Sequence, residues 1–226
     1  MKKYAVIVAG GSGLRMGTDL PKQFLLLKGK PVLQYTLQSF LLAYTDLQII
    51  LVLPAQQLSK GEEIIKQMNV EERVKIISGG DTRFHSVKRG LGLVTEPSIV
   101  FVHDGVRCLV SEALIRRCYQ QAVDTGSAIP VVAATDSIRI DEGGSHYPFD
   151  RNKIRIVQTP QTFRSDIILQ AFNQKYSIDF TDEATVAEAA GNKVFLIEGE
   201  YNNLKVTRRI DLFIAEKLLE EGVHRE

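Results

Sequence analysis

Five short runs of almost unbroken apolar residues punctuate the first part of the chain: YAVIVA (4–9), QIILVLP (48–54), VKIIS (74–78), SIVFVHD (98–104) and SAIPVV (127–132). A strand with one wet face alternates apolar and polar positions. These runs do not, so each predicts a strand buried on both faces. Between them, residues 31–44, 56–68, 83–95 and 111–125 are amphipathic over helical lengths, and Pro31 stands where a first helical residue is expected. Strand and helix therefore alternate. The expectation is an α/β, Rossmann-like fold: a mostly parallel twisted sheet with helices on both faces.

The rhythm breaks after about residue 135. Two short alternating segments, SIRI and KIRIV, flank a polar connection containing Gly143, Gly144 and Pro148, which predicts a projecting β-hairpin arm at about residues 137–157. Helices at 165–176 and 182–190, a strand at 193–198 and a closing helix at 208–221 follow. No repeat, low-complexity segment or linker interrupts the pattern, so residues 1–226 read as one domain with an arm.

Composition narrows the function classes. The 28 Lys and Arg nearly cancel the 27 Asp and Glu, so no global field argues for nucleic acid or a membrane surface, and anion recognition must come from local clusters. The first apolar run is too short for a signal-peptide core, and none approaches bilayer length, so a soluble cytoplasmic protein is expected. Cys108 and Cys118 form no CxxC, and no histidines are paired at ligand spacing. Two structural thiols are the reading.

Ligands of open α/β sheets bind beyond the carboxyl ends of the strands, which directs attention to the loops after Ala9, Ser78, Asp104 and Val132. The first loop reads AGGSGLRMGTDLPKQF. A dinucleotide fingerprint fails, because Met16 stands at its third glycine and no acidic residue ends the next strand. A Walker A string is absent. What remains is a Gly-rich turn whose backbone N–H groups can surround phosphates, followed by Arg15 and Lys22 as local cations. For GGDTR, Asp81 or Thr82 could equally cap a helix starting at Arg83. Nothing gives His103 a chemical role, so it reads as structural.

The string AGGSGLRMG…PKQF resembles the signature loop of nucleotidyltransferases that attach a nucleoside monophosphate to a sugar or polyol phosphate. The further strings GGDTRFHSV (79–87), VHDGVR (102–107), TDS (135–137), DRN…QTPQTF (150–163), TDEA (181–184) and NNLKVTRRIDL (202–212) resemble, in order, the 2-C-methyl-D-erythritol 4-phosphate cytidylyltransferase family. That resemblance implies a cytidylyltransferase using CTP and 2-C-methyl-D-erythritol 4-phosphate in the non-mevalonate isoprenoid pathway. It implies that Ala9, Gly10, Gly11, Ser12 and Gly13 wrap the CTP phosphates, with Arg15 and Lys22 on the triphosphate. Gly80, Asp81, Arg83 and Ser86 are implied around cytosine and ribose. Asp104 and Arg107 would stand near the reacting phosphates, with Asp104 also the candidate ligand of a magnesium ion. Ser137, Arg151, Thr159, Thr181 and Lys205 match positions contacting the sugar phosphate, Lys205 also counting with Arg15 and Lys22 as catalytic. The resemblance further implies a homodimer in which the arm carries Arg151 into the partner's site.

The chain departs from the family pattern in places. AGG replaces the frequent AAG, HDGVRC replaces HDAARP, and Ser137 replaces a threonine while keeping the hydroxyl. Asn202 stands where an acidic residue is common, removing an expected carboxylate, and TRRIDL replaces TxPxDL. Two other readings stay open: a related ribitol 5-phosphate cytidylyltransferase, and a non-catalytic nucleotide-binding regulator.

Overall fold

The computed structural model describes residues 1–11 and 20–222. Its elements are β1 (Lys2–Val8), β2 (Leu26–Leu27), β3 (Lys30–Pro31), α1 (Val32–Ala43), β4 (Leu47–Leu53), α2 (Leu58–Met68), β5 (Val74–Ser78), α3 (Arg83–Leu91), β6 (Ser98–Asp104), α4 (Glu112–Thr125) and β7 (Ser127–Ala133). They continue with β8 (Ile138–Asp141), β9 (His146–Phe149), β10 (Arg155–Val157), β11 (Gln161–Arg164), α5 (Ser165–Ala171), α6 (Glu183–Ala189), β12 (Leu196–Glu198) and α7 (Arg209–Glu221). The main sheet has the order β10-β7-β11-β6-β1-β4-β5, with β12 also paired to β7. β6, β1, β4 and β5 are mutually parallel.

The unbroken apolar runs act as read. Along β1, Ala5 and Ile7 pack with Leu37 and Phe40 of α1, Ile64 of α2 and Leu114 of α4. Val6 and Val8 pack on the other face with Phe84 and Val87 of α3, Ile168 of α5 and Val186 of α6. Each fully buried Val, Leu, Ile or Phe contributes about 1.5–3 kcal/mol, so the central strands are fixed by burial on both sides.

Local signals set the helix ends, with one adjustment. Pro31 is the cap before α1 and not its first residue, because its backbone is extended at ψ 141° and Val32 opens the helix. Ser111 accepts the Leu114 amide to start α4, and Gly126 ends it in the left-handed region at φ +95°, which favours glycine.

The second part of the chain differs more from expectation. The arm hairpin is narrower than residues 137–157: β8 pairs only with β9, from Ile138↔Phe149 to Asp141↔His146. The KIRIV segment instead supplies β10, which runs antiparallel along β7. Alternation marks an edge strand and an arm strand alike, so the local pattern does not choose the partner. β11 then inserts between β6 and β7, antiparallel to both, with its pairing on β7 shifted by two residues relative to β10. A polar string with a proline gives no strand signal, yet Gln158, Thr159, Gln161 and Thr162 are all buried. The helix expected at 165–176 ends at Ala171, since Phe172 turns inward to stack on Phe84. The strand expected at 193–198 begins only at Leu196.

Candidate active site

A cleft of about 450 Å³ opens at the carboxyl ends of β1, β4, β5 and β6. Ala9, Gly10, Gly11, Lys22, Gly80, Asp81, Arg83, Ser86, Asp104 and Lys205 line it. Residues from four separated strings of the chain therefore meet in one place. Ser12, Gly13 and Arg15 lie outside the described residues.

On one wall, Lys22 rides on a single 3-10 turn, Lys22–Phe24. The neighbouring Gln23 is fully buried. Its amide donates to the Ala9 carbonyl at 2.8 Å and to Gln57 Oε1 at 2.6 Å, which ties the lysine turn to the start of the Gly-rich loop. A Cβ on Gly11 would fall 2.9 Å from Lys22 Cε, so glycine there lets the lysine stem approach the loop closely. Farther along, Thr82 is the residue that caps α3, accepting the His85 amide. Ser86 Oγ accepts the Gly80 amide at 3.1 Å and braces that turn. Asp81 is left exposed at its tip.

The floor is Asp104, only 7% exposed. Its Oδ1 accepts from Arg83 Nη2 at 3.3 Å and Nε at 3.4 Å, while Oδ2 faces Lys205 Nζ at 2.8 Å and Arg107 Nε at 3.6 Å. Burial alone would raise its pKa. Arg83, Lys205 and Arg107 outweigh burial and hold the carboxyl well below the usual range. Arg83 is held charged in turn: burial opposes the guanidinium, and the Glu183 and Asp104 carboxylates more than offset it. Glu183, 1% exposed, grips the same guanidinium through both oxygens.

Behind the floor, a hydrogen-bond chain fixes one imidazole. Thr159 Oγ1 accepts the Asp104 amide at 3.1 Å and turns its own proton to His103 Nδ1 at 3.0 Å. The ring proton then sits on Nε2 and is donated to the Arg107 carbonyl at 3.2 Å. Burial pushes the His103 pKa down to about 3, so the ring is neutral and fully engaged, consistent with a structural part. Thr159, expected to touch the acceptor, is 4% exposed, and its hydroxyl is engaged by the Asp104 amide and His103.

The far wall is assembled by amides. Asn203 donates to the Thr159 carbonyl at 2.8 Å, its buried Oδ1 has no donor among the described residues, and Arg107 Nη1 donates to the Asn203 carbonyl at 2.8 Å. Gln158 donates to the Glu200 carbonyl at 2.8 Å and accepts its amide at 3.2 Å. Gln161 donates to Asp182 Oδ2 at 2.9 Å and accepts the Ala184 amide at 2.8 Å. Thus both glutamines of QTPQ anchor loops, one leading to Lys205 and the other carrying Thr181 and Glu183. Thr181 is exposed beside this wall, and Ser137 is exposed at the base of the arm. Arg151 bonds the Thr135 carbonyl of its own chain and is not among the residues lining its own cleft. Asn202 lines a different hollow, beside β7 and β12. In TRRIDL, Asp211 accepts the Thr207 and Arg208 amides at 2.7 Å each and starts α7 without the family's proline.

Gln23, Gln158, Gln161, Glu183 and Asn203 were not singled out by residue type. Each lies inside a quoted string, but an amide or a carboxylate next to other polar residues carries no local sign that its partner is far away. Both cysteines are buried and free, with thiol pKa values pushed up to about 12 by burial, so neither serves as a nucleophile.

Comparison with known proteins follows the same lines. The family model IspD, 2-C-methyl-D-erythritol 4-phosphate cytidylyltransferase, matches residues 4–221. The chain is 46% identical to the 2-C-methyl-D-erythritol 4-phosphate cytidylyltransferase of Bacteroides fragilis over 220 residues, 97% of this chain and all of that one. It is 41% identical to the protein of the same name from Clostridium botulinum, covering 95% and 98% of the two chains. Its fold superposes on the crystal structure of the 4-diphosphocytidyl-2C-methyl-D-erythritol synthase of Anaerococcus prevotii with a TM-score of 0.82 at 26% identity, covering 97% and 98%. On the Thermus thermophilus 2-C-methyl-D-erythritol 4-phosphate cytidylyltransferase the TM-score is 0.73 at 29% identity, with 95% and 98% covered. With motifs, cleft and fold in agreement over nearly its whole length, the chain belongs to the IspD family of cytidylyltransferases.

Proposed function

We propose that this chain transfers the CMP group of CTP to 2-C-methyl-D-erythritol 4-phosphate, giving 4-diphosphocytidyl-2-C-methyl-D-erythritol and pyrophosphate. The observation that carries the reading is the convergence of Arg83, Arg107 and Lys205 on buried Asp104, in the cleft that Lys22 and the loop glycines also line. An oxygen of the acceptor phosphate attacks the α-phosphorus, the bond to the bridging oxygen breaks, and pyrophosphate leaves with that electron pair. The nucleophile is already an anion. No serine or cysteine is needed, and the task is to align two polyanions and offset charge growing on phosphate oxygens.

The roles divide by wall. Ala9, Gly10, Gly11, Ser12, Gly13, Arg15 and Lys22 hold the triphosphate, and Gly80, Asp81, Arg83 and Ser86 hold the cytidine. Lys205, Arg107, Ser137, Thr181 and Arg151 meet the acceptor phosphate and its polyol, with Thr159 acting through Asp104. Asp104 keeps three cations gathered where the phosphates arrive. Magnesium comes with the family reading: it commonly takes one carboxylate with substrate phosphates and water, and Asp104, whose oxygens face Arg83, Lys205 and Arg107, is the carboxylate on the cleft floor. Asp104 would hold it, and the bound ion supplies further charge neutralisation.

A homodimer belongs to the same reading. Tyr147 and Phe149 on the arm and Ile156, Val157 and Tyr201 near its base are exposed, beside a hollow of about 660 Å³ at β7 and β12. Such apolar exposure suits a second copy of the chain, and Arg151 would then serve the partner's cleft.

One assay tests these points together: pyrophosphate release from CTP with either acceptor, over a dilution series of the enzyme. Release with 2-C-methyl-D-erythritol 4-phosphate, at a specific activity that falls on dilution, is expected. Release only with ribitol 5-phosphate overturns the acceptor, and CTP binding without release points to a regulator. Dilution-independent activity removes the shared site.

A further inference from the structure

We propose that Glu183 is a positioning residue for the transfer: a buried carboxylate that clamps Arg83 and thereby sets the orientation of Asp104, an inference that rests on the transfer reading above. Glu183 is 1% exposed, and its two oxygens meet Nη1 and Nη2 of Arg83, the second at 3.1 Å. A carboxylate taken out of water is strongly disfavoured unless it is paired and hydrogen-bonded. Burial raises the Glu183 pKa, and the Arg83 charge works against that rise.

The clamp leaves Arg83 one edge for other work. Nε and Nη2 reach Asp104 Oδ1 at 3.4 and 3.3 Å, so the planar fork lies between two carboxylates and has no freedom to swing. With Oδ1 so occupied, Oδ2 is the oxygen presented to Lys205 at 2.8 Å and Arg107 at 3.6 Å. The choice of Asp104 oxygen thus follows from Glu183.

Both ends of the clamp are themselves anchored. Gln161 holds Asp182 and the Ala184 amide on either side of Glu183, and the Asp182–Thr185 capping box starts α6 there. At the other end, Phe84, next to Arg83, stacks on Phe172 at 4.8 Å and on Phe180 at 5.6 Å. Phe180 precedes Thr181 on the acceptor wall. The ion pair, whose members lie 100 residues apart in sequence, therefore spans the nucleotide wall and the acceptor wall.

The test uses the full chain carrying Glu183→Gln, Arg83→Lys or both, with kcat and KM measured for CTP and CTP affinity measured separately by calorimetry. Glu183→Gln is expected to lower kcat/KM about tenfold or more, as misplacement of an aligned group does, and the double variant is expected to be no worse than the poorer single one. Unchanged kcat/KM in folded Glu183→Gln, or losses that simply add in the double variant, overturns the proposal. If Glu183→Gln does not fold, Glu183→Asp carries the test. It keeps the charge but withdraws it by one methylene, and a wild-type kcat/KM there overturns the proposal, as does failure of both variants to fold. An inactive wild-type chain would instead sink the transfer reading, so the two failures are distinct.

Discussion

The nucleotide half and the acceptor half of the cleft are built by opposite means. β1, β4 and β6 are seven-residue strands of near-continuous apolar sequence, and packing on both faces places their end loops around the cleft. The acceptor wall hangs from β11 and the residues just before it, where the apolar Phe163 is buried together with four polar side chains, Gln158, Thr159, Gln161 and Thr162. Its loops are held by amides that reach 42 and 21 residues away. Burial is non-directional and tolerant, whereas a buried amide must meet its partners or cost about 1–3 kcal/mol. The first half can be written in the pattern of one segment, and the second exists only once distant segments meet.

The largest expected effects come from the cations that face each other across this divide. Lys22→Ala and Lys205→Ala should each lower kcat by roughly a hundred- to a thousand-fold, since losing one preorganised donor costs about 2.7–4 kcal/mol. The comparison sharpens in KM: Lys22→Ala should raise it for CTP, and Lys205→Ala for the acceptor. Steady-state kinetics with each substrate varied in turn decides. A Lys205→Ala enzyme whose defect lies in CTP binding would erase the division between the walls.

A pair of smaller changes probes how each half is held. Gly90 lies in the last turn of α3, and alanine within a helix ordinarily gains about 0.5–1 kcal/mol over glycine. A Cβ there would sit 2.5 Å from Val6 Cγ1 and 3.2 Å from Val52 Cγ2, and valines are stiff at χ1. Gly90→Ala should therefore lose about 1–3 kcal/mol in urea unfolding, with kcat of the folded enzyme unchanged. Gln161→Leu should lose a similar amount, about 1–3 kcal/mol, by stranding the Ala184 amide, but it should also lower kcat/KM because the Glu183 loop loses its anchor. Unperturbed kinetics in Gln161→Leu would mean that the polar frame serves folding alone.

This contrast also explains what the sequence disclosed. The parallel strands, the α1–α4 helices and the cleft residues Lys22, Gly80, Arg83, Ser86, Asp104 and Lys205 follow from apolar runs, strand-end loops and a family resemblance, and the fold brings them together. β11 was hidden, because Gln161 and Thr162 carry no strand signal unless β6 and β7 are already in place to bury them. The arm was too wide for a related reason: Ile154 to Val157 alternate, but β7 and β9 compete for them only in three dimensions. Glu183 stood inside a recognised string and still gave no sign of its partner, since Arg83 is near it only after the sheet forms. Arg151 is legible as a cation near an arm, and the use proposed for it requires a second chain that one sequence does not display.

The smallest effect requires almost no perturbation and compares the parallel core with the cluster under α7 through the thiol that each contains. Cys118 lies in the large cluster between α4 and the sheet, among Phe101, Ile115 and Ala122. Cys108 lies in the smaller cluster under α7, with Leu27, Val32, Val206 and Ala215. Burial pushes both thiols up to about 12, so at pH 8 neither forms much thiolate in the folded state, and labelling has to await an opening that restores an ordinary pKa. α7 exposes Ile210, Phe213 and Ile214 and buries fully only Ala215, so it should lift away at a cost well below that of global unfolding, about 5–15 kcal/mol for a typical domain. In Cys118→Ala and Cys108→Ala proteins, each with one remaining thiol, Cys108 should react with a disulfide reagent before Cys118, and Cys118 only as fast as the whole protein unfolds. Equal rates would show that α7 opens together with the parallel core, and the cluster under α7 would then share the cooperativity of the half that burial built.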